Sequence, residues 1–344
     1  MTRFIPYITL LIVLLPWLYM QINTITPGDA AFLAYSAELL INGLSMEKYY
    51  FDSNPVMSIL IYTPVVLLKN SFSIPIYLAS NIYCFIVITI SLISVQRIIN
   101  YDTQLPEQTK FILMSSCLLA VTIPIITEFG QKDHLIAIAL IPFIMYQRAI
   151  TQNPKEQKIS TLIKLLLFTP FILIKPHYGI IPTAIILHRA ISQKRIKTAF
   201  DVDVIALAIG TCTYIAYTIV FQPNYLEIVL PTALKLYATA PTPNNTTPYK
   251  TLVFLAFTLS VFAIIKLTST TTNQENANKN LSLFFAACAV LSVIPFGVQN
   301  KGFSIHLTPT IILSLISIGL YIPILIKKRS SSTISILIVA LTLY

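Results

Sequence analysis

Charged residues make up only 10% of this 344-residue chain, and only eight residues are glycine. The first shortage excludes an ordinary water-soluble domain, in which about a quarter of the residues are charged. The second leaves no GxGxxG fingerprint and no P-loop, so nucleotide-driven transport has no support. Cysteine is scarce too: Cys84, Cys117, Cys212 and Cys288 fall in four separate apolar stretches without a CxxC pair. They read as small core hydrophobes, which excludes a disulfide framework or a thiolate metal site. The period-2 alternation that an outer-membrane barrel requires is also missing. What remains is 56% hydrophobic residues arranged in continuous runs of Leu, Ile, Val, Phe and Ala. Such a chain is all-α, a polytopic transmembrane helical bundle of about 10–11 spans.

The spans fall at about 4–22, 75–96, 111–127, 134–147, 161–174, 178–191, 204–221, 251–267, 281–297, 307–326 and 333–344. With the N-terminus in the cytoplasm, the inner loops hold 16 of the 23 lysines and arginines, from Arg3 to Arg329. The outer side holds Lys48, Lys69, Lys132, Lys175, Lys235, Lys250 and Lys301, all lysine. The positive-inside rule selects this orientation, so the net charge of +10 reports topology and not nucleic acid. The apolar stretch at about 56–69 is too short for a span and reads as an interfacial or re-entrant helix. Arg3 and the run after it read as an uncleaved signal anchor. Tyr344 stands inside an apolar run short for a span, as expected where a further C-terminal portion is missing.

The unusual polar residues gather on the outer face. Pro27-Gly28-Asp29 opens a helical pattern with Ala30, Leu33, Ala34, Ala37, Leu40 and Ile41 on one side, closed by Asn42-Gly43. Tyr49-Tyr50-Phe51-Asp52-Ser53-Asn54-Pro55 then leads into the short helix. Glu128, Lys132, Asp133 and His134 crowd into seven residues, and Lys175-Pro176-His177-Tyr178-Gly179 and Lys301 to His306 return to the same side.

A first span, an external Gly-Asp opening an amphipathic helix, and then Tyr, Asp and Asn-Pro before a second short helix resemble the GT-C superfamily of membrane glycosyltransferases. That group includes the protein O-mannosyltransferases and the lipid A aminoarabinose transferases. The resemblance implies a seven-span catalytic module over residues 1–221, with juxtamembrane helices at about 29–42 and 56–69. Residues 222–344 would be the variable transmembrane part, with an external loop at 222–250. It also implies two catalytic acidic residues, which fall on Asp29 and Asp133, as base or metal contact. Many relatives carry an acidic pair where this chain has Asp29-Ala30, so the base role rests on one carboxylate.

The chemistry is consistent with that. Outside the cytoplasm nucleotide sugars are absent, so the donor is a sugar on a membrane-bound polyprenyl phosphate. A carboxylate must take the acceptor's proton, and cations must stabilise the departing phosphate. Asp29 is the candidate base, and its plainer reading is an N-cap. Glu128 and Asp133 are assigned to a metal or the acceptor hydroxyl, and Lys132, Lys175 and Lys301 to phosphate. Asp52, His134, His177, Tyr178 and His306 complete the substrate-binding set. Lone helix-end lysines such as Lys175 also snorkel to headgroups, and Asp52 also suits an Asx turn.

Asp29, Asp133 and His306, with His134 and His177, are an adequate donor set for a divalent metal, but no HxxxH spacing commits them. The loop 222–250 suggests a surface helix over Tyr225–Tyr237 and a lid. Asp201-Val202-Asp203 has DxD form but lies on the cytoplasmic side at a helix start, where it complements the helix dipole. Asn244-Asn245-Thr246 matches a glycosylation sequon, meaningful only in a eukaryotic secretory protein.

The expected function is thus a bacterial inner-membrane glycosyltransferase that inverts the anomeric carbon, with a polyprenyl-phosphate sugar, the bilayer and an unidentified lipid, glycan or protein acceptor as partners. A lipid-linked glycan polymerase, ligase or flippase is the alternative, but external arginines would be expected there. A secondary transporter would carry internal repeats and mid-membrane charges.

Overall fold

The computed structural model describes residues 5–23, 26–44, 48, 54–102, 105–125, 127–153, 158–194, 196–239, 246–300 and 303–328. Every regular element among them is helical. Among the described residues, seven helices are long and apolar enough to cross a membrane. The helices group into two compact units, Met1–Ser94 with Ile125–Pro241, and Val95–Pro124 with Thr242–Tyr344. Residues 95–124 therefore belong with the C-terminal helices.

In the first unit, α1 (Ile5–Asn23) precedes α2 (Gly28–Ile41). Ala30, Leu33, Ala34 and Ala37 of α2 are buried, the face that the sequence pattern marks. Gly43, at φ +75, ends the helix, where a left-handed backbone suits a residue without Cβ. The short apolar stretch forms two helices, α3 (Val56–Leu60) and α4 (Thr63–Phe72), where one was expected. Pro64 is the cause: it has no N–H to donate and its ring crowds the carbonyl four residues earlier, so the chain breaks at Ile61-Tyr62. α2 packs on both pieces, and Lys69 ties α4 to Glu38 of α2 at 2.6 Å.

The unit continues with α5 (Ile76–Tyr101), whose last turns pass into the second unit, α7 (Lys132–Gln152), α8 (Ile159–Leu173) and α10 (Val202–Phe221). α9 (Ile180–Gln193) follows a 3-10 turn at Pro176–Gly179. α7 is the central element: 83% of its apolar window is buried, against 11% for α10. It packs on α8 and α9, and α8 packs on α10. Pro154 directly follows the residue that ends α7, consistent with proline's exclusion from a continuing helix. α8 and α9, with 15 and 14 residues, are ~21–23 Å long and shorter than a ~30 Å hydrocarbon core. In the 222–250 loop, a π turn at Tyr225–Val229 runs into α11 (Leu230–Thr239).

The second unit contains α6 (Glu107–Thr122), α12 (Thr247–Leu267), α13 (Asn273–Gln299) and α14 (Thr308–Lys327). α13 starts eight residues before the expected span, because Thr272 caps it by accepting from the Glu275 N–H at 3.2 Å. Small polar side chains join its helices. Ser282 and Ser317 donate to each other's carbonyls, Ser292 donates to Thr310, and Thr109 to Asn278. Such bonds and close packing hold helices together where no hydrophobic driving force exists between them. The expected span at 333–344 lies outside the described residues.

Candidate functional site

Asp29, Glu128, Lys132, Asp133, Lys175 and Tyr178 of the first unit are not scattered. They assemble where α2, the 127–131 turn, α7 and the Pro176–Gly179 turn meet. Lys132 donates to Oδ2 of Asp29 at 2.5 Å across 103 residues. Lys175 donates to both oxygens of Asp133, at 2.9 and 2.7 Å, and the Tyr178 hydroxyl donates to the same carboxylate at 3.3 Å. Glu128 accepts from Gln131 at 2.5 Å. The two ion pairs differ in access: the Asp29 side chain is 39% exposed, whereas Lys132, Lys175 and Asp133 are 7%, 7% and 0%.

A rigid turn positions these groups. Gly130 has φ +76, a left-handed conformation that favours glycine and turns the chain into α7. Its N–H donates to Nδ1 of His134 at 3.1 Å, and its carbonyl accepts from the Tyr62 hydroxyl at 2.7 Å. His134, fully buried, thus serves the turn. Phe129 packs edge-on against Trp17 at 5.4 Å, which fixes the turn to α1. Asp29 is not the cap of α2. Pro27 takes that position and makes no side-chain cap bond, while Asp29 sits in the first turn and turns its carboxylate to Lys132.

Burial pushes the Lys175 ammonium below its ordinary value, and Asp133 opposes that shift. Burial, reinforced by Asp133, holds Tyr178 well above the usual phenol value, so it stays a neutral donor. Burial and then the charges of Asp133 and Asp29 raise Glu128 above its ordinary 4.5. Its ionised form therefore costs stability at neutral pH. That cost is fully present above the raised value and disappears as pH falls through it towards 4.5. Glu128→Gln, which keeps an acceptor for Gln131, is expected to melt higher than the native protein at pH 8, with the difference closing towards pH 4.5. Thermal unfolding in detergent at both pH values checks this; a lower melting temperature at pH 8 contradicts it.

The other expected site residues are placed elsewhere or not described. His177 is half-buried and stacks near Tyr178, ring centres 5.2 Å apart. His306 lies in the second unit, on the 3-10 turn Ser304–Leu307, with its ring 6.0 Å from Phe303. Near it, Lys250 donates to Ser304 at 3.2 Å. Asp52 and Lys301 lie outside the described residues. Among the described residues, no three His, Cys, Asp or Glu side chains converge to hold a metal ion.

The Asp201-Val202-Asp203 segment does more than complement a dipole. Arg189 of α9 pairs with Asp201 at 3.0 Å and donates to both oxygens of Asp203, at 2.7 and 2.9 Å. Gln147 of α7 adds a bond to Asp203 at 2.9 Å. The ionic side chains are 1%, 5% and 0% exposed. The dipole reading looked only within one helix, and the partners lie on two others. The signal in the sequence was Arg189 itself, an arginine inside an apolar helix pattern.

Compared with known proteins, the chain matches no protein family, no curated protein and no solved structure.

Proposed function

We propose that this protein is an integral-membrane glycosyltransferase that moves a sugar from a polyprenyl-phosphate carrier to an acceptor outside the cytoplasm. The observation that carries the reading is the Asp29 carboxylate, the accessible end of an otherwise sealed chain of alternating charges, Asp29–Lys132 and Asp133–Lys175. Ionisable groups in a membrane protein are costly unless paired or functional. Here three of the four are enclosed and one is presented.

In this reading the acceptor hydroxyl gives its proton to Asp29 as its oxygen attacks the anomeric carbon. The bond from that carbon to the phosphate oxygen breaks on the opposite face, and the electron pair leaves with the lipid phosphate, inverting the centre. Lys132 compensates the charge that develops on the phosphate. Asp133 is a positioning residue: with Tyr178 and Lys175 it fixes the first turn of α7, which carries Lys132. The site faces the outside of a bacterial inner membrane, in line with the distribution of lysine and arginine.

The test is transfer of radiolabelled sugar from a panel of synthetic polyprenyl-phosphate sugars by purified, folded protein. Turnover with any donor supports the reading. A folded protein that neither binds nor uses any of them sinks it, and the polymerase and transporter readings then lead.

A further inference from the structure

The lysines of this cluster have unequal partners. Lys175 is fixed by both oxygens of a fully buried carboxylate, and Tyr178 donates to the same group. An incoming anion would have to displace Asp133 from the interior to reach it. Lys132 makes one side-chain bond, to one oxygen of a carboxylate that is 39% exposed. Moving the Asp29 side chain outward exposes the ammonium without disturbing the core.

Charge count and backbone direction point the same way. Asp29 and Asp133 pair one to one with Lys132 and Lys175, and Glu128 lies close enough to feel both carboxylates, so the cluster has no surplus cation for an anionic ligand. Asp29 lies in the first turn of the 14-residue α2, and Lys132 is the first residue of the 21-residue α7. Neither helix start has a side-chain cap, from Pro27 or from Gln131. Two helix N-termini, each favouring negative charge, therefore meet at the more accessible of the cluster's two ion pairs.

We propose that the Asp29–Lys132 bridge is displaceable: a phosphate headgroup takes Lys132 Nζ from Asp29, and its arrival frees the Asp29 carboxylate to act as base. This rests on the reading of the cluster as the site of a phosphate-linked donor. Before the donor binds, the carboxylate is engaged by the ammonium. After it binds, Lys132 holds the phosphate and Asp29 faces the acceptor. The donor thus binds before the acceptor, and the carboxylate stays paired with the ammonium until a phosphate is in place.

Trp17, the only tryptophan, packs on Phe129 beside this site and reports occupancy by fluorescence. The experiment titrates purified full-length protein in neutral detergent with dodecyl phosphate, with inorganic phosphate and with dodecanol. Dodecyl phosphate is expected to give a saturable change and dodecanol none. A matching response to inorganic phosphate would make free phosphate the ligand, and a much weaker one the lipid headgroup; the bridge is displaced in either case. The decisive comparison is Asp29→Asn, which leaves only a neutral amide oxygen to compete for Lys132 and should tighten binding by about tenfold. Lys132→Gln should abolish the response and Lys132→Arg keep it. Binding to Asp29→Asn that is unchanged or weaker overturns the proposal. Sugar transfer without that tightening refutes the displaceable bridge alone. Tightening without transfer from any donor refutes the glycosyltransferase alone.

Discussion

Replacing Asp29 with asparagine is expected to lower sugar transfer by about 10²–10⁴-fold, the usual contribution of a positioned general base. The substitution is nearly isosteric and leaves a carbonyl oxygen to accept from Lys132, so α2 and α7 stay joined. Asp29 does not cap its helix, and it is 39% exposed, so stability should move little. Turnover and thermal unfolding on the same sample separate the two effects. A large loss of turnover at an unchanged melting temperature supports the base. Turnover within tenfold of the native protein reduces Asp29 to a partner for Lys132, and loss of both together makes it structural.

Arg189→Met is expected to destabilise the first unit strongly. It leaves the Asp201 and Asp203 carboxylates without their cation in a place where they are 5% and 0% exposed. Removing one side of a buried ion pair costs about 3–5 kcal/mol, because the remaining charge is uncompensated. Replacing all the charged members with neutral groups of similar shape costs far less. The triple variant Arg189→Met, Asp201→Asn, Asp203→Asn should therefore melt well above Arg189→Met alone. If Arg189→Met unfolds at the native temperature, the network is not a structural junction of α9 and α10.

Much of this was legible in the sequence. Asp29, Lys132, Asp133, Lys175 and Tyr178 were expected on one face because alternate apolar runs end there and the basic residues gather opposite, and they form one cluster. Which carboxylate takes which lysine was not legible. Asp29 and Lys132 are 103 residues apart, and spacing carries no information at that range. The role of His134 was hidden for a related reason, since its bond is to a backbone N–H set by the φ of Gly130. The break at Ile61-Tyr62, by contrast, followed from Pro64 and was there to be read. The Arg189 network was missed because Asp201 and Asp203 look complete when viewed within their own helix.

The two ion pairs also place a condition on biosynthesis. As α7 leaves the ribosome, Asp29 is already made, so Lys132 has a counter-ion at once. Asp133 does not, because Lys175 lies 42 residues downstream. At ~5–20 residues per second, that delay lasts ~2–8 s. Throughout it, a carboxylate destined for complete burial lacks the cation it pairs with in the finished fold. α7 therefore has to wait for α8, against which it packs, and for the Lys175 turn that follows. The unit that folds is then a helical hairpin whose buried carboxylate is already neutralised by the turn that follows its second helix.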